Sequence, residues 1–531
     1  EINAEVLIGH NIIGFDLPAL GKLLGFEWWG EVEDTLVMSR LDNPSREGGH
    51  SLASWGTRMN FPKGDYDDWS VYTDEMGEYC KQDVKVLVRL YKYMTSKRMS
   101  EKALEMEHKI AQITHKQTQN GWKFDLRKAT HLLAAIKEEM FIAEDEVRKV
   151  FKPLPVWTPL KYLKQTHKKD GGKTSNYINQ LAKGAEWHEI DGKVQWGYYA
   201  FPEFNLGSRQ QIARYLQHFG WTPKEFTELG TAIVSETILD AIEIPEGKLI
   251  AKYLMLQKRL GLVSAWIDAV DETGRIHGKV NTCGAVTGRM THSSPNLAQV
   301  PASHSPYGTD CRELFTVEEG YKLVGMDASG LELRMLAHYM NDEDYTNEVI
   351  NGDIHTANQR AANLESRDKA KTFIYAFLYG AGDSKIGSVV GGTAKDGKRL
   401  KQDFLKNTPA LKKLRTRVTA SADTGSLIGL DGRVLHVRSP HAALNTLLQS
   451  AGAIVMKRAV VLLDHFSQVY KIDYKIVGQI HDEVQVEVAE KQADFFGDLA
   501  VNCVRRAGKD FKLNCPLDGD YKIGTTWRET H

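Results

Sequence analysis

The sequence predicts several domains of α/β and α+β class, and three observations carry that reading. The chain has 531 residues, room for roughly three or four domains at about 100–200 residues each. Short apolar runs of strand length recur between long stretches with apolar residues at three- and four-residue steps. Hydrophobic residues make up 42% and charged residues 26% of the chain. That is ordinary for a globular protein and supplies sizeable cores, so disorder is excluded as the dominant state.

The elements follow in order. AEVLIGH (4–10) reads as a strand, and IIGFDLPALGKLLG (12–25) as a loop into a helix. EYCKQDVKVLVRLYKYM (78–94) is an amphipathic helix, and 101–150 is helical throughout, with few breakers. Residues 151–204 lose that periodicity and gain Trp157, Tyr162, Tyr177, Trp187, Trp196, Tyr198 and Tyr199. Eight Lys there face five acids (Asp170, Glu186, Glu189, Asp191, Glu203), a balance of +3. FNLGSRQQIARYLQHFGW restarts a helix with Ser208 as N-cap. From about 320 strands and helices mix, and no internal repeat or low-complexity tract occurs.

Lys+Arg is 68 and Asp+Glu 69, a net charge of -1. This excludes a histone-like basic protein, but not a basic cleft on a neutral body. The five cysteines, Cys80, Cys283, Cys311, Cys503 and Cys515, form no CxxC. Neither a disulfide framework nor a zinc ribbon is expected, and a reducing cytosol fits. There is no uninterrupted run of 18 apolar residues, so no membrane span is expected. The chain opens at Glu1 in mid-pattern, as a fragment or processed form of a longer protein would.

Three constellations carry chemistry. In LVGMDASGLELRMLAHYM (323–340) a short strand ends at Asp327, a turn follows at Ser329–Gly330, and a helix carries Glu332 and Arg334. A carboxylate at a strand end suits a metal ligand; read alone, it equally suits a helix N-cap. In YKIVGQIHDEVQVEV (474–488) alternation on both sides of His481-Asp482-Glu483 makes a β-hairpin with two acids at its tip. Such acids repel unless a cation sits between them, or else they are merely solvated. In ESRDKAKTFIYAFLYGAG (365–382) Arg367, Lys371, Tyr375 and Tyr379 fall at four-residue steps on one helical face, with Ile374, Phe377 and Leu378 on the core side. Two cations followed by two aromatics suit a triphosphate and its sugar or base, unless the stripe is simply solvated. Two acid sites with a cationic helix between them are what two-metal phosphoryl transfer requires.

These blocks carry a resemblance. DASGLELR looks like motif A of the family A (DNA polymerase I-type) DNA polymerases, RDKAKTFIYAFLYG like motif B, and HDE like motif C. TGRMTHSSPNLAQVP (287–301), GDIHT (352–356) and DGRVLHVRSPHAALNTLLQSAGA (431–453) also match the family. Within it the chain most resembles the replicative polymerases of the T-seven-type podoviruses, along nearly its whole length through His531.

The resemblance implies a right-hand polymerase (palm, fingers, thumb) behind a partial RNase H-like exonuclease domain. It implies a 3′–5′ exonuclease-like domain over 1–95, the thumb and start of the palm over 96–320 with the basic aromatic insertion at 151–204, and palm and fingers over 321–531. It further implies a template-directed, DNA-directed DNA polymerase serving phage genome replication in the cytoplasm of an infected bacterial host. Asp327 and Asp482, helped by the carbonyl of Ala328, hold two Mg²⁺ ions, with Glu483 beside them as a further acid. Arg367, Lys371 and His355 contact the triphosphate, and Lys371 serves the chemistry. Tyr375 packs on the sugar with Glu332 behind it as a gate against the 2′-hydroxyl, and Tyr379 lies at the templating pocket. Arg289, Asn445, Gln449 and His481 contact the minor groove and primer end.

GHNIIGFDLPAL, with Asn11 and Asp16, and EYCKQDVKV, with Tyr79 and Asp83, resemble the second and third exonuclease motifs. The first motif, Asp-x-Glu, belongs before residue 1, so proofreading by this chain is expected to be incomplete. The implied partners are primer-template DNA, deoxynucleoside triphosphates, a replisome helicase–primase and, at 151–204, host thioredoxin or a similar processivity factor. For that factor Trp157, Trp187 and Trp196 serve as anchors and seven lysines between Lys161 and Lys193 track DNA. The competing readings are a single-subunit RNA polymerase, against which Glu332 paired with Tyr375 argues, and a non-catalytic DNA-binding subunit, against which the intact acids and cations argue.

Overall fold

The computed structural model describes residues 4–163, 165–190, 192–223, 225–227, 229–423 and 425–531. Glu1, Lys164 and Asp191, used above, lie outside the described residues. The class is the expected mixture of α/β and α+β.

By compactness the chain forms two units, one of 1–126 with 269–531 and one of 127–268. The boundaries expected at 95 and 320 both fall inside the larger unit. The helix Glu101–Asn120 explains the first departure. It packs on the long helix Ala443–Val469 and on the strand Tyr474–Ile480. Its Ile110 and Ile113 share one buried cluster with Val324, Phe373 and Val455.

The heart of the larger unit is a four-stranded antiparallel sheet in the order Tyr474–Ile480, Glu483–Ala489, Tyr321–Ala328, Gly519–Gly524. Its register sets Asp327 opposite Glu483 on one side and Asp520 on the other. The helix Ala493–Asp510 packs on this sheet, and on that helix lies Ala443–Val469, apolar around most of its circumference. The segment Pro440–Val469 is long and apolar enough to cross a membrane by length and composition, although it contains no unbroken apolar run of 18 residues. Of its most apolar window 83% is buried in the protein, as befits a core helix.

Three local readings need correction. The loop expected at 12–16 is a π-helical turn, Ile12–Asp16, that buries Ile12 and Ile13 and runs into the helix Leu17–Leu24. The helical stretch 101–150 is broken where Gly121 takes φ 61 and starts the short strand Trp122–Phe124. Helical patterning flanks that break on both sides, which hid it. The segment 151–204 is not irregular. It holds an antiparallel sheet in the order Val156–Pro159, Lys193–Ala200, Glu186–Ile190, with the helix Ser175–Ala182. Ser208 does cap the helix Arg209–His218, accepting from Gln211 N at 3.4 Å. All five cysteines are free, Cys80 exposed and the other four buried.

Candidate active site

Asp327 stands one residue before the end of its strand, and the chain turns at once into the helix Leu331–Met340. Gly330, at φ 58, makes that turn in a conformation that favours glycine, and it is the N-cap; no side chain caps this helix. The N-cap reading of Asp327 is thereby removed. The hairpin tip is fixed beside it, because Ala328 N donates to the main-chain oxygen of Asp482 at 3.1 Å.

The acids lie close enough to act on one another. Burial, then the charges of Asp482, Glu483 and Asp520, push the Asp327 carboxyl up to about 7, with His531 opposing. Burial and the charge of Glu332 raise Asp482 as well. Neighbouring carboxylates that resist ionisation form a donor set of hard oxygens for divalent cations. Among the described residues no three His, Cys, Asp or Glu side chains group as a metal site. The oxygens on hand there are the carboxylates of Asp327 and Asp482 and the neighbouring main-chain carbonyls.

Glu483 has a different standing. It is buried and accepts from Trp527 Nε1 at 2.6 Å, Gln485 Nε2 at 2.5 Å and His531 Nδ1 at 2.9 Å. Burial works against its charge, yet His531, Gln485 and Trp527 hold its carboxyl below the usual range. It anchors the C-terminal segment under the hairpin rather than facing out with Asp482.

The cation helix is Arg367–Leu378, capped by Ser366, with Phe373, Ile374, Phe377 and Leu378 buried. Arg367 Nε donates to Asp353 Oδ2 at 2.7 Å. Asp353 also caps the helix Ile354–Ala362, accepting from His355 N and Thr356 N. Lys371 is exposed and makes no ion pair among the described residues. Burial and then the charges of Arg367 and Lys371 lower the pKa of His355, so these three groups lie together. Tyr375 continues the stripe, 6.2 Å from the His355 ring and 6.3 Å from that of Tyr379.

Glu332 departs from expectation. It accepts from Tyr379 Oη at 3.2 Å and Arg289 Nη2 at 3.3 Å, and not from Tyr375. Tyr375 feels it only as a nearby charge, together with Asp482. The tyrosine one turn further along reaches the carboxylate, a choice that helical spacing cannot make. Arg289 and His481 line one cavity of about 220 Å³ beside the hairpin. Asn445 and Gln449 sit half-buried on successive turns of the long helix, outside that cavity.

The sequence reading missed Asp520 and the His531–Glu483 contact. Asp520 accepts from Ser329 Oγ at 3.1 Å, opposite Asp327 in the sheet. Both depend on the last strand joining this sheet, which no local pattern shows.

In the N-terminal segment Asp16 is exposed at the end of the π-helical turn begun after Asn11, and burial and Asp34 raise its carboxyl. Asp83 is paired with Lys63 at 2.9 Å, and that ammonium lies 4.7 Å from the Tyr79 ring centroid. Among the described residues no hydrogen bond or ion pair joins Asp16 to Asp83. Of the three tryptophans expected as partner anchors, Trp196 is buried and donates to Gln180 Oε1 at 2.9 Å. Trp157 packs on His188 and Tyr199, and Trp187 alone is largely exposed, at 52%.

Comparison with known proteins identifies the family. The model of the family described as DNA polymerase family A matches residues 176–529. The chain is 36% identical to the DNA-directed DNA polymerase of Enterobacteria phage T3 and 35% identical to that of Escherichia phage T7, in each case over 99% of this chain and 92% of the relative. In structure it is similar to the POL domain of Pol1 from M. smegmatis, solved in complex with DNA primer-template and dNTP. The TM-score is 0.78 at 18% identity, over 98% of this chain and 86% of that one. The acids at the end of the central sheet, the cationic helix and these similarities together show that the chain belongs to DNA polymerase family A.

Proposed function

We propose that this polymerase extends a primer 3′ end with deoxynucleotides along a DNA template, by phosphoryl transfer assisted by two Mg²⁺ ions at Asp327, Asp482 and the Ala328 carbonyl. The observation that carries the reading is the placement of two carboxylates side by side, Asp327 near the end of its strand and Asp482 in the adjoining hairpin turn, fixed there by the 3.1 Å hydrogen bond from Ala328 N to the Asp482 main-chain oxygen. Enzymes of this family generally use divalent metal ions. When bound, such ions activate the primer hydroxyl and neutralise the leaving pyrophosphate.

The chain's own residues do the rest. The primer 3′-oxygen forms a bond to the α-phosphorus as the bond to the bridging α–β oxygen breaks, and pyrophosphate leaves. Arg367, Lys371 and His355 bind the triphosphate and offset its charge. Tyr375 packs on the sugar, and Glu332, held by Tyr379 and Arg289, closes the space a 2′-hydroxyl needs. Arg289, His481, Asn445 and Gln449 offer donors to the minor groove, where every base pair presents acceptors, so pair shape is checked without reading sequence.

Strand degradation is not the chain's main activity in this reading, since Asp83 is tied to Lys63 and no Asp-x-Glu motif accompanies Asp16 and Asp83 in the sequence as given. The site of action is the cytoplasm of an infected bacterial host. There, a replisome helicase–primase and, on 151–204, thioredoxin or a similar small protein are the partners. Primer extension with Mg²⁺ tests the reading. Template-directed addition of deoxynucleotides in strong preference to ribonucleotides is expected; extension with ribonucleotides alone turns the assignment toward an RNA polymerase.

A further inference from the structure

A cleft of about 390 Å³ opens beside Asn11, Ile13 and Gly14 of the second exonuclease-like motif. One wall is the segment Glu31–Arg40, with Asp34 and Arg40. A second is the helix Glu101–Asn120, with His115. A third is the strand Lys279–Asn281. Neither Asp327, Asp482, Asp16 nor Asp83 lines it.

Its polar groups are mismatched in one direction. Arg40 is half-buried, its Nε is shut off from solvent, and that atom has no hydrogen-bond partner. The guanidinium makes no ion pair among the described residues. His115 Nε2 is likewise buried and unpartnered. Lys279 adds a third positive or donor group at the exposed rim. The one acid in the lining, Asp34, is already spent on the backbone. Its Oδ1 accepts from Asn11 N and Leu36 N, and its Oδ2 from Ile13 N. Keeping a guanidinium donor out of water without an acceptor is costly, so a ligand that brings several acceptor oxygens answers the mismatch. The planar fork of arginine matches tetrahedral oxyanions, and a lysine at the rim adds attraction without demanding exact geometry.

We propose that this cleft is a phosphate-binding site, with Arg40 as its central ligand and Lys279 and His115 beside it. Two sources present that chemistry, a backbone phosphate of a DNA strand and the phosphate of a free nucleotide.

The full chain is titrated with inorganic phosphate, with dAMP and with a single-stranded oligonucleotide at constant ionic strength, following thermal midpoint and heat of binding. Wild-type protein is expected to show a phosphate-dependent upward shift that chloride does not reproduce. Arg40→Gln weakens this binding by about 10- to 100-fold, the range for a lost charge-assisted contact. Without phosphate, Arg40→Gln unfolds at a temperature close to that of wild type, because Arg40 makes no ion pair among the described residues and only its longer-range attraction to Asp34 is lost. Lys279→Gln, at the rim, keeps the fold and weakens binding less. If the oligonucleotide displaces phosphate from wild type, the source is a strand; if only dAMP does, it is a nucleotide. An absent phosphate-specific shift in wild type, or the same shift in Arg40→Gln, overturns the proposal. Primer extension is no part of the readout, so the site fails or stands independently of the polymerase reading.

Discussion

Tyr375 and Tyr379 divide between them a task that spacing assigns to one residue. Tyr379 Oη holds Glu332, and its own pKa is pushed up to about 12, chiefly by burial and then by that carboxylate. The Tyr375 hydroxyl makes no hydrogen bond among the described residues, and in the proposed reading it serves the sugar. The family resemblance associates tyrosine here with ready acceptance of dideoxynucleotides, because its hydroxyl fills part of the polar role of a missing 3′-hydroxyl. Tyr375→Phe is therefore expected to discriminate against dideoxynucleotides, read as longer termination ladders at equal nucleotide ratio; identical ladders refute it. Glu332→Ala is expected to relax sugar choice, measured as a rise in single-ribonucleotide insertion with deoxynucleotide insertion less affected. Asp327, Arg367 and Tyr375 were legible because strand ends and four-residue steps are local features. Asp520 and His531 were not, since only the register of the last strand brings them in.

Among the elements, the helix Glu101–Asn120 is joined to the polymerase body by a buried charge network. Glu107, on that helix, meets Lys457 at 2.5 Å and Arg433 at 2.7 Å, and Arg433 also pairs with Asp431 at 2.6 Å. All four residues are buried. Burial opposes charge on Glu107, but Lys457 and Arg433 outweigh it and depress its pKa. Removing one partner leaves uncompensated buried charge. Glu107→Ala is expected to cost about 3–5 kcal/mol in chemical denaturation. The sign with pH follows from the depressed pKa. The stabilisation is complete above the ordinary carboxylate range and is lost as pH falls below it. The gap between wild type and Glu107→Gln should thus narrow in acid, and a gap that widens contradicts the assignment. The sequence marked this helix by period but not its attachment, because ion pairs more than 300 residues apart leave no local pattern.

For the whole molecule, the division into 1–126 with 269–531 and 127–268 sets which functions can be separated. The sheet within 151–204 packs the exposed rings of Tyr162 and Trp187 against the buried Trp196. Composition revealed its aromatic and basic character; its strands stayed hidden because aromatics and lysines blur the two-residue alternation. Deleting 156–200 is expected to shorten products per binding event, under a DNA trap, while leaving single-nucleotide insertion nearly intact. Equal product lengths with and without the segment remove the processivity role. The central claim is that Asp327 and Asp482 serve the chemistry while cationic contacts hold the DNA. It is tested most directly by measuring, on one preparation, primer extension and primer-template affinity of Asp327→Ala and Asp482→Ala. Extension should fall to background with affinity within a few-fold of wild type, whereas substantial extension by either variant contradicts the account.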